Sequence, residues 1–169
     1  MRFVQVLAGA AFSLLTMHAA FAEDYRIGKI ELDDLWVRAS VPGQVNGAGY
    51  LEIDNKGDAA DKLISVESAA SKRIELHTII NENGVAKMRE VQGGIPVSAM
   101  GKTNLKPGGY PVMFIQLNGP FKVGEKVDAV MKFEKAGSVK VQFKVKPATY
   151  NPGTSGEQGM PMHGGGMKH

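Results

Sequence analysis

The chain has 169 residues and a formal net charge of +3, with 43% hydrophobic residues, 22% charged residues and no cysteine. This length suits one domain with its own core, and the lack of cysteine excludes disulfides, thiolate metal sites and a cysteine nucleophile. Positive and negative residues are interspersed, without the basic block that tracks nucleic acid, so we expect no nucleic-acid partner.

The first 22 residues have the pattern of a cleaved export signal. Arg2 supplies a positive start, an apolar stretch follows, and Ala20-Phe21-Ala22 offers small residues for the cleavage site. The apolar stretch is shorter than the roughly 20 residues that cross a bilayer. No cysteine follows Ala22 to carry a lipid. The sequence therefore predicts a signal peptide, a mature chain without a membrane span and a periplasmic location.

Short runs rich in β-branched and aromatic residues come next, separated by Gly, Pro, Asn and Asp. Helical periodicity is nearly missing, and this spacing is typical of an all-β sandwich or barrel. Asn83-Gly84 is the strongest hairpin signal, because a tight primed turn needs residues that tolerate positive φ. This hairpin should place the strand of His77 beside the strand of Met88. Nine strands are predicted, over residues 27–32, 35–39, 49–54, 62–68, 74–80, 85–91, 110–117, 126–133 and 139–145.

The composition changes after Pro147. Gly, Pro, Ser, Met and His dominate there, and no apolar periodicity remains that could bury a core. The predicted organisation is a signal peptide at 1–22, one β-sandwich domain at 23–147 and a flexible tail at 148–169. The tail concentrates thioether and imidazole groups, in Met160, Met162, His163, Met167 and His169.

Methionine and histidine are the residue types that indicate chemistry in this chain. Soft thioethers prefer a soft ion and imidazole serves copper well, so a Met and His cluster favours Cu(I) over zinc, calcium or magnesium. Thioethers also need no deprotonation and cannot pair as disulfides, which suits an oxidising compartment. Besides the tail, the predicted strands offer such donors at His77, Met88 and Met113.

Several segments of the domain carry a family resemblance. They are LWVRASVPGQ at 35–44, GAGY at 47–50, IELHT at 74–78, MREV at 88–91, LKPGGY at 105–110 and FEKAG at 133–137. Together they resemble the periplasmic copper chaperones of the PCu(A)C family. The resemblance implies a Greek-key β-sandwich of about eight to nine strands, cupredoxin-like and related to the immunoglobulin fold, with an exposed Cu(I) site.

The ligand pattern of that family is a His, a Met about ten residues later, and a His-x-Met pair after a Gly-Gly-Tyr turn. Carried over residue by residue, the resemblance implies that His77, Met88 and Met113 are ligands. The second family histidine falls on Pro111, which has no side-chain donor. Three of the four ligands therefore remain.

The missing nitrogen leaves three arrangements open. The site could be three-coordinate, or His163 or His169 could complete it, since a flexible end reaches a surface site at modest entropic cost. Alternatively the tail holds its own copper, and two imidazoles would suit Cu(II) there. The candidate tail ligands are His163, His169, Met160, Met162 and Met167.

Structural roles compete with these assignments. A strand methionine is more often core filler than ligand, and we expect Met100 and Met131 to be packing residues. His77 could instead be a half-buried strand histidine that hydrogen-bonds a backbone carbonyl. Trp36 and Tyr50 are expected to be core and corner residues of the sandwich.

The leading functional hypothesis is a copper chaperone that passes Cu(I) to a partner by ligand exchange and is not an enzyme. The resemblance implies, as receiver, the copper centre of cytochrome oxidase or a thiol-bearing assembly factor. The alternatives are copper storage without delivery and a metal-free structural or adhesion module. A blue-copper electron carrier is excluded because its site needs a Cys thiolate, and no catalytic constellation can be assembled with any specificity. We expect a monomer, with a metal-bridged dimer as the alternative.

Overall fold

The computed structural model describes residues 25–152, and in this range the chain is all-β with eleven strands and no α-helix. No helix in the same range has the length and apolar character needed to cross a bilayer. The predicted signal peptide at 1–22 and the chain from residue 153 onward lie outside it. The strands are β1 (Tyr25–Ile27), β2 (Ile30–Arg38), β3 (Asn46–Asn55), β4 (Asp61–Glu67), β5 (Ser71–Glu82), β6 (Val85–Glu90), β7 (Ile95–Val97), β8 (Gly101–Leu105), β9 (Val112–Leu117), β10 (Lys126–Phe133) and β11 (Gly137–Lys146).

The all-β prediction is confirmed, but the predicted number of eight to nine strands is wrong. The runs at 27–32 and 35–39 are not separate strands, because β2 includes most of both. Ile27 belongs instead to β1, a three-residue strand that the pattern did not separate from β2. The polar pair Asp33-Asp34 interrupts the apolar pattern. The strand accommodates it through a register shift between Asp33 and Trp36 and a positive φ of 47° at Asp34. β7 and β8 were missed because they have only three and five residues, too few for alternation to emerge.

Hydrogen bonds join the strands in the order β6-β5-β9-β3-β2-β11-β10-β4-β7, with β1 on β2 and β8 on β3. Every pair is antiparallel except the parallel pair β11–β2. On its edge away from β2, β3 pairs first with β9 and then with β8. The network curls into two facing layers, since Phe114 of β9 meets Phe143 of β11 with ring centroids 6.0 Å apart.

One apolar core lies between the two layers. It forms by strand alternation, as in β10, where Met131 and Phe133 are buried and Lys132 between them is exposed. Gly49 leaves room for the rings that fill the core, because a Cβ at this position would lie 3.0 Å from the ring of Phe114 and 3.4 Å from that of Phe143. The largest fully buried side chains of this core are Phe114, Phe133, Phe143, Leu32, Ile53, Leu63, Ile95, Leu105, Met131, Val37 and Val97.

The strands β2, β3, β9, β5 and β6 lie side by side, and the face that points away from the core carries the predicted ligands. Residues opposite each other in a ladder point to the same side, and residues next to each other along a strand point to opposite sides. Leu76 and Val112 are paired and belong to the core. Their chain neighbours, including His77 and Met113, therefore lie on the outer face.

Candidate metal site

The three predicted ligands of the domain lie on three adjacent strands, with His77 on β5, Met88 on β6 and Met113 on β9. Met88 lies opposite Ile79 in the β5–β6 ladder. Met113 lies opposite Glu75 in the β5–β9 ladder. Since Ile79 and Glu75 are each two residues from His77, both methionines are diagonal neighbours of the histidine on the same face. Such neighbours are about 7–8 Å apart, a gap that long side chains bridge.

The β5–β6 hairpin has the predicted turn. Asn83 and Gly84 have φ values of 54° and 80°, as a two-residue primed turn requires, and Glu82 pairs with Val85 around them. This turn sets the register that brings Met88 beside the histidine strand. All residues of β6 are exposed, and within the described range β6 pairs only with β5. One side of the candidate site is therefore open to an approaching molecule.

The imidazole of His77 has two different environments at its two nitrogens. Nε2 lies 2.8 Å from Oε2 of Glu75, whereas Nδ1 is buried and has no hydrogen-bond partner among the described residues. The ring is largely covered, with 16% of the side chain exposed. Most buried polar atoms have a partner, so the unpaired Nδ1 is a position where an ion would fit.

Glu75 links His77 to a third residue. Nε of Arg73 lies 2.7 Å from Oε1 of Glu75, so each carboxylate oxygen has its own partner. The hydrogen bond from His77 is the main cause that lowers the pKa of Glu75, and the charge of Arg73 adds to it against the opposing effect of burial. Sequence reasoning missed both residues, although their i−2 and i−4 spacing from His77 places them on its face.

Pro111 lies directly beside His77. The backbone N–H of His77 donates to the carbonyl of Pro111 at 3.1 Å, and that of Ile79 donates to Gly109 at 3.0 Å. The ladder between β5 and β9 therefore continues past Val112, and Pro111 is buried in it. The position that the resemblance assigns to a second histidine is thus adjacent to the first, and here it offers no donor.

Accessibility differs between the two methionines of the site. The side chain of Met88 is 49% exposed, whereas Met113 is half-buried. Among residues 25–152, no group of three or more His, Asp or Glu side chains is placed to hold a metal ion. The donors that share this face are one imidazole and two thioethers, which is a soft set.

The other two methionines of the domain have different surroundings. Met131 is 0% exposed in the core, so its assignment as a packing residue is confirmed. Met100 is 73% exposed, and for this residue the packing assignment is wrong. It lies in the turn between β7 and β8 with a φ of 48°, a feature that follows from two strands that the sequence pattern did not reveal.

The described chain ends on the same outer face. Tyr150 packs edge-on against Trp36 with ring centroids 4.9 Å apart, and Nη1 of Arg38 donates to the carbonyl of Ala148 at 2.6 Å. Trp36 is buried as predicted, but it lies beneath this terminal segment and outside the main core. The predicted tail ligands lie outside the described residues; they are Met160, Met162, His163, Met167 and His169.

Comparison with known proteins gives matches over most of the domain. A family model described as "Putative lipoprotein LpqE-like" matches residues 30–145. The chain is 26% identical over 117 residues to the "Putative lipoprotein Lxx21020" of Leifsonia xyli subsp. xyli, a match that covers 69% of each protein. It is 28% identical over 120 residues to the "Uncharacterized protein RP573" of Rickettsia prowazekii, a match that covers 69% of this chain and 65% of that protein.

Solved structures show the same fold. The copper-bound PCuAC domain from PmoF2 superposes with a TM-score of 0.63 at 26% identity, over 73% of this chain and 97% of that domain. The solution structure of CuI-DR1885 from Deinococcus radiodurans gives a TM-score of 0.57 at 28% identity, over 75% of this chain and 83% of that one. These similarities confirm the predicted cupredoxin-like, immunoglobulin-related β-sandwich.

Proposed function

Since the chain belongs to the LpqE-like family and has the fold of PCuAC domains, we propose that it is a copper chaperone that binds Cu(I) and passes it to another protein. One observation carries the proposal: the buried Nδ1 of His77 has no hydrogen-bond partner among residues 25–152, and a thioether from each neighbouring strand lies beside the ring on one face. The copper-bound and Cu(I) states of the PmoF2 domain and DR1885 belong to those proteins and support the same ion here.

We assign the ligand roles in the domain to His77, Met88 and Met113. The donor set is neutral, so a monovalent ion bound there leaves one positive charge rather than two to be stabilised. Thioether sulfur and imidazole nitrogen are soft and borderline donors, which favours Cu(I) over the hard divalent cations. Neutral ligands also need no proton release when the ion arrives or leaves.

Transfer follows from the unequal exposure of the ligands. Met88 is the most accessible, because β6 is exposed throughout and lies at the end of the strand order. A recipient can therefore displace this thioether first and receive the ion while His77 and Met113 still hold it. A thiolate on the recipient would draw Cu(I) away from thioethers, since it is the stronger soft donor. No bond of a substrate is made or broken, so the protein acts as a carrier and not as an enzyme.

The recipient that we propose is the copper centre of cytochrome oxidase or a thiol-bearing assembly factor, and the location is the periplasm. The export signal predicted at 1–22 supports this compartment, as do the lipoprotein names of the family and of a relative. The chain itself has no cysteine that could carry a lipid.

The tail is proposed to complete the coordination. Pro111, just before β9, occupies the position of the second family histidine, so that imidazole nitrogen is missing. Tyr150, near the start of the tail, packs against Trp36 on the outer face. The strand of Trp36 is three strand spacings from that of His77, or about 14 Å. The eleven residues that follow Pro152, up to and including His163, span up to about 36 Å when extended. His163 or His169 can therefore reach the ion; the alternative is a separate tail site for Cu(II), with Met160, Met162 and Met167 as further donors.

Competition titration with a Cu(I) chelator tests the proposal on the mature protein. Met88→Leu and Met113→Leu remove sulfur at nearly constant volume. Each should weaken Cu(I) binding by more than about 100-fold, beyond the loss caused by residues that only orient a ligand. Met100→Leu is the matched control, since Met100 is exposed in a distant turn. Stoichiometric binding that neither site variant weakens would contradict the assignment.

Delivery needs its own measurement, because storage would give the same titration. The loaded protein is mixed with a thiol-bearing acceptor of higher Cu(I) affinity, and transfer is followed against the rate of spontaneous copper release. Transfer that is faster than release and depends on acceptor concentration indicates direct ligand exchange. Transfer limited by release would indicate storage, and no uptake at all would indicate a metal-free module.

A further inference from the structure

We propose that copper binds Nδ1 of His77, and that Glu75, held by Arg73, is the positioning residue that presents this nitrogen. The inference rests on the proposed function and deepens it. It names the binding atom and two residues that orient it without touching the ion.

The hydrogen bond to Glu75 decides which nitrogen of His77 carries the proton. An ionised carboxylate has only acceptors, so the 2.8 Å contact between Nε2 and Oε2 requires a proton on Nε2. In the neutral ring the free lone pair is then on Nδ1. That nitrogen is buried and has no partner within the described part of the chain. A metal ion is the partner that this tautomer lacks.

The distance of the donor atoms from the sheet also favours Nδ1 of His77 as the copper-binding atom. Nδ1 of histidine and Sδ of methionine are both bonded to Cγ, so each is three bonds from its Cα. His77, Met88 and Met113 point to the same side from adjacent strands. Their δ atoms can therefore meet in one layer above the sheet, whereas Nε2 extends one bond farther and is already occupied by Glu75.

Arg73 completes the support. It lies two residues before Glu75 on the same face of β5, and its Nε is 2.7 Å from Oε1. Glu75 is thus held at both oxygens, one by the guanidinium and one by the ring. A metal-binding histidine commonly donates its second ring N–H to a carboxylate, which fixes the tautomer and the ring orientation. Arg73, Glu75 and His77 form this arrangement on a single strand.

Nuclear magnetic resonance of the full mature protein with ¹⁵N-labelled histidine tests the inference directly. Long-range ¹H–¹⁵N correlations identify the protonated nitrogen of His77 before Cu(I) is added and the nitrogen whose resonance moves afterwards. The proposal predicts protonated Nε2 in the metal-free protein and a shift of Nδ1 on binding. A copper-induced shift centred on Nε2 would overturn it while leaving the proposed function intact.

Substitutions of Glu75 provide the second readout. Glu75→Leu should yield a mixture of tautomers and weaken Cu(I) binding by about 10–100-fold. Glu75→Gln keeps an oxygen that accepts from Nε2–H, so it should preserve the Nε2–H tautomer and recover most of the affinity. Glu134→Gln is the matched control, because Glu134 is exposed and pairs with Lys62 at 3.6 Å. Wild-type affinity and tautomer in Glu75→Leu would refute the positioning role.

The two proposals fail in different ways. If Cu(I) moves neither nitrogen of His77 and the protein takes up no copper, the proposed function itself is wrong. If copper binds with the predicted methionine dependence but Glu75 has no influence on the ring, only this inference is wrong. The spectrum of the unsubstituted protein identifies the copper-binding nitrogen even if Glu75→Leu does not fold.

Discussion

Replacing Asp61 tests how the β4 strand is tied to the β10–β11 turn. The Asp61 side chain accepts three backbone hydrogen bonds, from the N–H groups of Lys62 at 2.7 Å, Lys135 at 2.9 Å and Ala136 at 2.9 Å. Asp61→Asn keeps one acceptor oxygen but replaces the other with an NH2 group. This group cannot accept a hydrogen bond, so at least one of the three backbone N–H groups loses its acceptor. Leaving a fully buried donor unsatisfied costs about 1–3 kcal/mol. Because these three hydrogen bonds are only partly buried, we expect the free energy of unfolding to fall by about 1 kcal/mol, the lower end of that range. Asp58→Asn, at an exposed neighbouring aspartate, should have almost no effect.

The pH dependence adds a second test of Asp61. Burial raises its pKa, but the three N–H donors outweigh this effect, and the pKa lies below its usual value. A lowered folded pKa gives stability that is fully present above the unfolded pKa of about 3.9 and is lost as the pH falls through the folded value. Urea unfolding at pH 7 and at pH 3 should show a smaller acid loss in Asp61→Asn than in the unsubstituted protein. Equal acid losses, with equal stability at pH 7, would refute the reasoning.

Three further predictions concern packing, coordination and assembly. Gly49→Ala should lower stability by about 1–3 kcal/mol through overpacking against Phe114, as measured by thermal denaturation, whereas Gly119→Ala, with no atom within 4 Å of the added Cβ, should be nearly neutral. Pro111→His should tighten Cu(I) binding in the chelator titration and make it insensitive to His163→Ala; continued sensitivity would mean that the tail does not fill this coordination position. Sedimentation velocity should give a monomer both with and without Cu(I), and a copper-dependent dimer would instead indicate a bridging ion.

Local signals explain what the sequence predicted well. The Asn83-Gly84 turn is encoded by two adjacent residues with positive φ, so the sequence alone predicted that the strands of His77 and Met88 would be neighbours. Alternation in long strands such as β10 gave the all-β class. The failures also have local causes: β7 and β8 are too short to show alternation, and the bulge at Asp33 and Asp34 looks like a chain break. Met100 was misassigned because its turn lies between those two short strands.

Non-local pairing explains what the sequence could not provide. Met113 is 36 residues from His77 along the chain. The strands β6, β7 and β8 lie between β5 and β9 in sequence, yet β5 and β9 are neighbours in the sheet. No pattern around Met113 encodes that pairing, so its assignment depended on the family resemblance. The contact between Glu75 and His77 could have been found from strand parity, but the role of Arg73 becomes apparent only from the side-chain geometry.

X-ray absorption at the copper edge of the Cu(I)-loaded mature protein tests the proposed ligand set most directly, because it counts the sulfur and nitrogen neighbours of the ion. We predict two thioether sulfurs with imidazole nitrogen, and one sulfur fewer in each of Met88→Leu and Met113→Leu. A spectrum with only nitrogen or oxygen neighbours, or a sulfur count that neither substitution changes, would contradict this ligand set.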